Sequence, residues 1–150
     1  CFKRAGADAI LTYAALEATL AAYVRGKAFE EIPVLKMLST PAIEVESRSH
    51  RFIAEMEGED RLRLEVVSGF SKVGGGAAPE EQVATYAIAI YSPRLSAKQI
   101  LDRLREARPP VIARIADDRV LLDLRTVLPE QEPLLLAALR EVEGPRGVRQ

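Results

Sequence analysis

The segment Pro109–Leu128, PPVIARIADDRVLLDLRTVL, constrains the fold most, because it has the pattern of a β-hairpin. Apolar residues fill most of positions 111–115, and Asp117 and Asp118 form a polar turn. Beyond the turn, every second residue from 120 to 124 is apolar, and charged residues stand at 119, 123 and 125. Such alternation places one face of a strand on a core and the other face in water. The segment therefore predicts two antiparallel strands within residues 111–125.

The rest of the second half adds two strands and two helices. Alternation over 61–66 predicts one strand, residues 85–91 predict a second, and the Gly-, Ala- and Pro-rich stretch 68–82 predicts a loop between them. Ser96 and Gln99 have the spacing of a capping box, and a last helix is predicted to begin near Pro129. The order of elements predicts an α+β fold, in which N-terminal helices precede a small, mainly antiparallel four-stranded sheet covered by helices.

The first half of the chain is predicted to be helical. Residues 9–24 have helical spacing, and Gly26 is expected to end that helix. A short helical or irregular link over 28–38 follows. Thr40 and Pro41 are interpreted as the cap and first residue of a second helix that reaches about residue 57. We therefore divide the chain into a helical linker or extension, 1–58, and a small α+β C-terminal domain, 59–150.

Composition excludes several functional classes. The 21 basic and 22 acidic residues give a net charge of −1, so no overall field favours DNA binding. A single cysteine, Cys1, allows no internal disulfide, which favours a reducing, cytoplasmic location. The sequence has no apolar run long enough to cross a bilayer, so no membrane partner is expected. Because the chain does not begin with methionine, we expect it to be part of a longer protein.

Candidate binding groups are few. The triplet Gly74–Gly76 lacks the Lys-Ser/Thr and the helix that follow a phosphate loop, although glycines allow close approach of backbone to a substrate. The single histidine, His50, has no second ligand at metal-binding spacing, so no metal site is predicted. Lys72 is the one lysine beside the glycine triplet, but a flexible connection between strands explains this stretch more simply.

Arg114 stands inside an apolar strand pattern, between Ala113 and Ile115. A buried arginine needs a partner, because an unpaired buried charge is costly. Two interpretations remain open. Arg114 either clamps a substrate carboxylate with two hydrogen bonds or pairs within the sheet with Asp123 or Glu65.

Several blocks of the sequence resemble the C-terminal part of the selenocysteine synthase (L-seryl-tRNA(Sec) selenium transferase) family. The blocks run over nearly the whole chain, and the last three are the most specific. They are AALEATL at 14–20, EIP at 31–33, VGGG at 73–76, PPVIARI at 109–115 and LLDLRTV at 121–127.

The resemblance implies the small C-terminal domain of a fold-type-I enzyme that uses pyridoxal 5′-phosphate (PLP). It implies a cytoplasmic homo-oligomer that replaces the hydroxyl of seryl-tRNA(Sec) with selenium from selenophosphate. In this family the PLP lysine lies upstream of the first matching block. This chain alone is therefore expected to carry no catalytic residue and to bind no cofactor. Its expected partners are the missing PLP-binding large domain, further copies of itself and, in the full-length parent, tRNA.

The resemblance, with the arguments above, gives a substrate-binding set: Arg4, Gly74, Gly75, Gly76 and Arg114. Arg4 matches the first arginine of the family segment Arg-Ala-Leu-Arg-Val-Asp-Lys, whereas Ala7 and Ile10 replace its second arginine and its lysine. Losing cations from an anion site weakens the expected use of selenophosphate. An alternative is thus a paralogous PLP-dependent lyase or transferase acting on a small amino acid or amino sugar acid. A third hypothesis is a free-standing interaction domain that self-associates through helix 9–24.

Overall fold

A computed structural model of the chain describes residues 2–56, 62–72, 82–142 and 144, with side chains from Tyr13 onward except that of Lys72. The chain divides into two compact units, Cys1–Thr40 and Pro41–Gln150. Among the helices of the described ranges, none is both long and apolar enough to span a membrane.

The first unit is helical, as predicted. It contains α1 (Phe2–Val24), α2 (Ala28–Glu31) and α3 (Pro33–Ser39). Gly26 follows α1 with a φ of 69°, a left-handed conformation that glycine adopts at little cost. Thr40 was predicted to cap the next helix, and this is wrong. Its Oγ1 instead donates to the carbonyl of Lys36 at 2.7 Å, and Pro41 occupies the N-cap without a side-chain hydrogen bond.

The second unit is an α+β arrangement, which confirms the predicted fold class. Its elements are α4 (Ala42–Ala54), β1 (Arg63–Lys72), β2 (Gln82–Tyr91), α5 (Ala97–Glu106), β3 (Arg114–Ala116), β4 (Arg119–Leu122), 3-10 turns at Leu124–Thr126 and Pro129–Gln131, and α6 (Glu132–Val142). The four strands form one sheet in the order β1-β2-β4-β3, and every neighbouring pair is antiparallel.

Helix α4 belongs to the second unit, so the division falls after Thr40 rather than after residue 58. The physical reason is its apolar face. Val45 and Phe52 of α4, with Met56 just beyond its end, are buried in the same core cluster as Ile88 and Ile90 of β2, so α4 closes the core of the α+β unit. A helix that acts as a linker has no apolar face buried in a domain core, so α4 does not fit that role.

The hairpin of β1 and β2 is longer than the sequence pattern predicts. Residues 68–72, predicted as loop, extend β1 until Lys72 pairs with Gln82, so that β2 begins three residues before Thr85. Each residue of β1 has a partner on β2, and this pairing overrides the weak strand preference of Ser and Gly. The triplet Gly74–Gly76 lies outside the described residues.

The second hairpin is shorter than predicted. Asp117 and Asp118 form its turn with φ values of 50° and 54°, as a two-residue type I′ connection requires. Strand β4 stops at Leu122, and residues 124–126 form a 3-10 turn rather than more strand. The side chain of Asp123 causes this stop, because it accepts a hydrogen bond from the backbone N–H of Arg125 at 2.9 Å and bends the chain.

One apolar cluster joins the sheet to its helices. Ile88 and Ile90 of β2 pair with Leu122 and Val120 of β4, and all four are buried. Helices α4, α5 and α6 contribute the remaining members, among them Phe52, Ile100, Leu104, Leu135 and Leu139. The polar groups described next lie near the end of β1, near the start of β2 and directly after β4.

Candidate functional site

Four of the five predicted substrate-binding residues have no described side chain. Gly74, Gly75 and Gly76 lie outside the described residues, and the side chain of Arg4 does too. Their roles stay predictions.

Arg114 lies at the start of β3, an edge strand, and is exposed to solvent. The predicted pairing with Asp123 or Glu65 is therefore wrong. Glu65 faces Arg119 instead, with 3.7 Å between Oε2 and Nη1, and the carboxylate of Asp123 is bound by other groups. The expectation of a central strand failed because β3 is only three residues long and has a neighbour on one side. The clamp on a substrate carboxylate stays a prediction.

A polar group of four residues, Ser71, Thr85, Asp123 and Arg125, lies where β1, β2 and β4 come together; we call it the Asp123 cluster. The hydroxyl of Ser71 donates to Oδ2 of Asp123. The hydroxyl of Thr85 donates to Oδ1 at 3.1 Å, and the backbone N–H of Arg125 donates to the same oxygen at 2.9 Å. Three donors therefore hold one carboxylate in a fixed orientation.

Arg125 is the buried arginine of this region, with 4% of its surface exposed. Its Nη2 donates to the carbonyl of Ala84 at 2.8 Å, and its Nε donates to Thr85 Oγ1 at 3.4 Å. The alternating pattern predicted that Arg125 faces water, and this is wrong because the chain leaves the strand at Asp123. Thr85, 2% exposed, both donates to Asp123 and accepts from Arg125, so it links the carboxylate to the guanidinium.

The sequence reasoning missed Ser71, Thr85 and Arg125. One local signal was available. An Asp side chain often accepts a hydrogen bond from the backbone N–H two residues further along, and this Asx turn ends regular structure. Asp123 followed by Arg125 fits that signal. Nothing local marks Ser71 or Thr85, because their common partner, Asp123, lies 52 residues after Ser71 and 38 residues after Thr85.

A cavity of about 430 Å³ adjoins the Asp123 cluster. Its walls are mostly apolar, and its polar side chains are those of Asp123, Thr126 and Gln131. The hydroxyl of Thr126 donates to the backbone carbonyl of Asp123 at 2.9 Å. A second cavity, of about 410 Å³, is polar and lies between Glu65 of β1 and the turn at Asp117. Both volumes lie in the range of small-molecule sites.

The described side chains include no candidate metal centre, and their lysines lack the desolvated pocket that PLP attachment needs. Over these residues no group of three or more His, Cys, Asp or Glu lies close enough together to hold a metal ion, and His50 is exposed. Lys27, Lys36 and Lys98 are all exposed, whereas a lysine that forms a Schiff base needs a desolvated pocket. None of these three fits PLP.

Comparison with known proteins gives a consistent result. A family model described as L-seryl-tRNA selenium transferase matches residues 2–128. Curated L-seryl-tRNA(Sec) selenium transferases from Alkaliphilus oremlandii, Geobacter sulfurreducens and Aquifex aeolicus are 40%, 38% and 36% identical over 137, 135 and 132 residues. Each match covers 88% of this chain and 29% of the relative. The chain thus spans less than a third of the length of these relatives.

Proposed function

The chain belongs to the L-seryl-tRNA selenium transferase family, and from this premise we propose that it is the C-terminal domain of an enzyme that converts seryl-tRNA(Sec) to selenocysteinyl-tRNA(Sec). The observation that carries the proposal is the family match over residues 2–128, which includes β1, β2 and the second hairpin. The α+β fold with its antiparallel sheet supports a small domain of a fold-type-I PLP enzyme.

In this proposal the parent protein divides the chemistry between its parts. PLP, which acts as an electron sink in eliminations, is held by the portion of the parent outside this chain. This chain contributes substrate-binding groups, for which the sequence predicts Arg4, Arg114 and Gly74–Gly76. The Asp123 cluster links β1, β2 and the end of β4 within the α+β unit. A cytoplasmic location is part of the same proposal, because a lone cysteine suits a reducing compartment.

The test is an activity assay on the longest native polypeptide that contains this chain. With seryl-tRNA(Sec) and selenophosphate, we expect selenium to be incorporated into the aminoacyl group. Free serine and other small amino acids serve as competing substrates. Turnover of those alone would favour the PLP-dependent lyase or transferase suggested by Ala7 and Ile10, and would contradict selenium transfer.

Homo-oligomer formation is a separate part of the proposal. Tyr13, Leu16, Leu20 and Tyr23 lie on one stripe of α1 at alternating spacings of three and four, and each is more than half exposed. Such a stripe is typical of helices that pair. We expect Leu20→Glu to shift the mass measured by light scattering towards the monomer, whereas Ala18→Glu, on the opposite side of the helix, leaves it unchanged. A wild-type chain that is monomeric at high concentration contradicts pairing through α1.

A further inference from the structure

The helices of the α+β unit lie on one face of its sheet. Ile88 and Ile90 of β2 belong to the core cluster to which α4, α5 and α6 all contribute, so these helices pack on that face. Successive residues of a strand point to opposite faces, so Ala87 and Ala89 point away from the helices. We call the side of the sheet that contains Ala87 and Ala89 the open face, because the three helices leave it uncovered.

The open face has an apolar centre of four residues. Val67 of β1 pairs with Ala87, and Leu121 of β4 pairs with Ala89, so all four share the face. Ala87 and Ala89 are 1% and 0% exposed, whereas Val67 and Leu121 are half-buried. A sheet face that is turned to water is usually polar, and an apolar area with polar surroundings is typical of an interaction surface.

Two polar bridges cross β2 on the same face, one on each side of the apolar centre. Glu65 of β1 and Arg119 of β4 form an ion pair with 3.7 Å between Oε2 and Nη1. Because β2 lies between β1 and β4, this pair spans the strand, and the small side chains of β2 leave room beneath it. Ser71 of β1 reaches across in the same way to Asp123, which follows β4. The apolar centre is therefore surrounded by polar groups that already have partners.

The edge strands of the sheet add unpaired positive charge to the open face. Arg63 of β1 pairs in register with Tyr91, and Arg114 of β3 pairs with Leu121, so both arginines share this face. Both are exposed, and neither forms an ion pair with a residue that the structure describes. The acidic groups of the face are bound in the two bridges. A complementary surface is therefore apolar at its centre and acidic at its edges.

The occupant that these observations favour is another part of the same polypeptide. The curated relatives are matched over 29% of their length, so most of each relative lies outside the region that this chain resembles. RNA fits less well, because the apolar centre contains no aromatic side chain on which a base could stack.

We propose that the open face packs against the portion of the parent enzyme that lies outside this chain, through a surface with an apolar centre and acidic edges. Such packing places Arg114 at the boundary between the two portions, where its predicted binding of a substrate carboxylate requires it. The proposal rests on the proposed function in taking the chain as part of a longer enzyme. It does not depend on selenium transfer, so failure of the activity assay leaves it standing.

The experiment compares thiol labelling in the 150-residue chain and in the longest native polypeptide that contains it. Both carry Cys1→Ser, which removes the one native thiol of this chain, and a new cysteine at Val67→Cys or Leu121→Cys. The rate of reaction with a maleimide is read by mass spectrometry of the peptide that contains the new cysteine. A face that is covered about nine-tenths of the time reacts about tenfold more slowly, so we expect a loss of about tenfold or more in the longer polypeptide.

Arg105→Cys is the matched control, because Arg105 is an exposed residue of α5, which packs on the other face of the sheet. Its rate should be the same in the two proteins. Equal rates for Leu121→Cys overturn the proposal, and so does an equal loss of rate at Arg105→Cys. Protection that appears only with added seryl-tRNA(Sec), or that grows with the concentration of the 150-residue chain, also overturns it. The face would then bind RNA or a second copy.

A charge reversal tests the acidic edge of the partner surface. Arg63→Glu is chosen because Arg63 is exposed, whereas Arg114 is also predicted to bind substrate. Repulsion at the edge should raise the labelling rate of Leu121→Cys in the longer polypeptide by about two- to fivefold, as expected for an exposed ion pair. Arg105→Glu should leave that rate unchanged. An unchanged rate in Arg63→Glu contradicts an acidic partner surface.

Discussion

Replacing Arg125 by methionine tests whether the Asp123 cluster contributes to stability. The hydrogen bonds of the guanidinium include a short one, 2.8 Å to the carbonyl of Ala84, and a longer one, 3.4 Å to Thr85 Oγ1. A hydrogen bond from a charged group contributes about 1.5–3 kcal/mol, and the longer bond adds less. Removing a buried charge recovers part of its desolvation cost. We therefore expect Arg125→Met to lower the free energy of unfolding by about 2–3 kcal/mol.

The assay is thermal and urea unfolding of the 150-residue chain, followed by circular dichroism. At this length 1 kcal/mol corresponds to about 3 °C in Tm, so a decrease of about 6–9 °C is expected. Arg114→Met is the matched control, because it removes an exposed arginine from the same region. It should change the free energy of unfolding by less than about 0.5 kcal/mol.

A conservative variant separates charge from geometry. Arg125→Lys keeps the charge but lacks the planar fork that reaches both Ala84 and Thr85, so we expect it to recover less than half of the lost stability. The reasoning is refuted if Arg125→Met is as stable as the wild type. It is also refuted if Arg114→Met is destabilised equally, since burial would then not distinguish the two arginines.

Three further predictions concern the scaffold. Arg48 of α4 donates to Glu132 at 2.5 Å and to the carbonyl of Val127 at 2.9 Å. In this ion pair the side chain of Arg48 is 12% exposed and that of Glu132 is 25% exposed. A double-mutant cycle of Arg48→Met and Glu132→Gln should give a coupling of about 1–3 kcal/mol by urea unfolding, and a value near zero contradicts the role of the pair. The hydroxyl of Ser96 caps α5 by accepting a hydrogen bond from the N–H of Gln99. Ser96→Ala should therefore lower the free energy of unfolding by about 1 kcal/mol. Hydrogen exchange should show a loss of amide protection in the first turn of α5. Asp118→Ala should lower the free energy of unfolding by about 1 kcal/mol, because Asp118 has a φ of 54° and alanine adopts this conformation poorly. Asp118→Gly should not lower it. Equal Tm values for the two variants would exclude backbone strain at this turn.

Local signals in the sequence were sufficient for the elements whose cause is local. Gly26 ends α1 in the left-handed conformation, Ser96 and Gln99 form the expected capping box, and Asp117 with Asp118 makes the expected turn. The predicted order of strands and helices, and with it the α+β fold class, is confirmed. The helix end, the capping box and the turn each depend on residues within a few positions of one another, so the pattern alone contains the information.

Contacts between distant residues decided what the pattern did not reveal. Alternation placed Arg125 in water, and apolar neighbours placed Arg114 in the middle of a central strand; the structure buries Arg125 and exposes Arg114. The reversal depends on Asp123, which bends the chain after β4 and is held by Ser71 and Thr85 from strands far away in sequence. Likewise, α4 has the pattern of any amphipathic helix, and only its packing against β2 makes it part of the α+β unit. A period in the sequence shows which side chains share a face, but burial and hydrogen bonding depend on what the rest of the chain brings to that face.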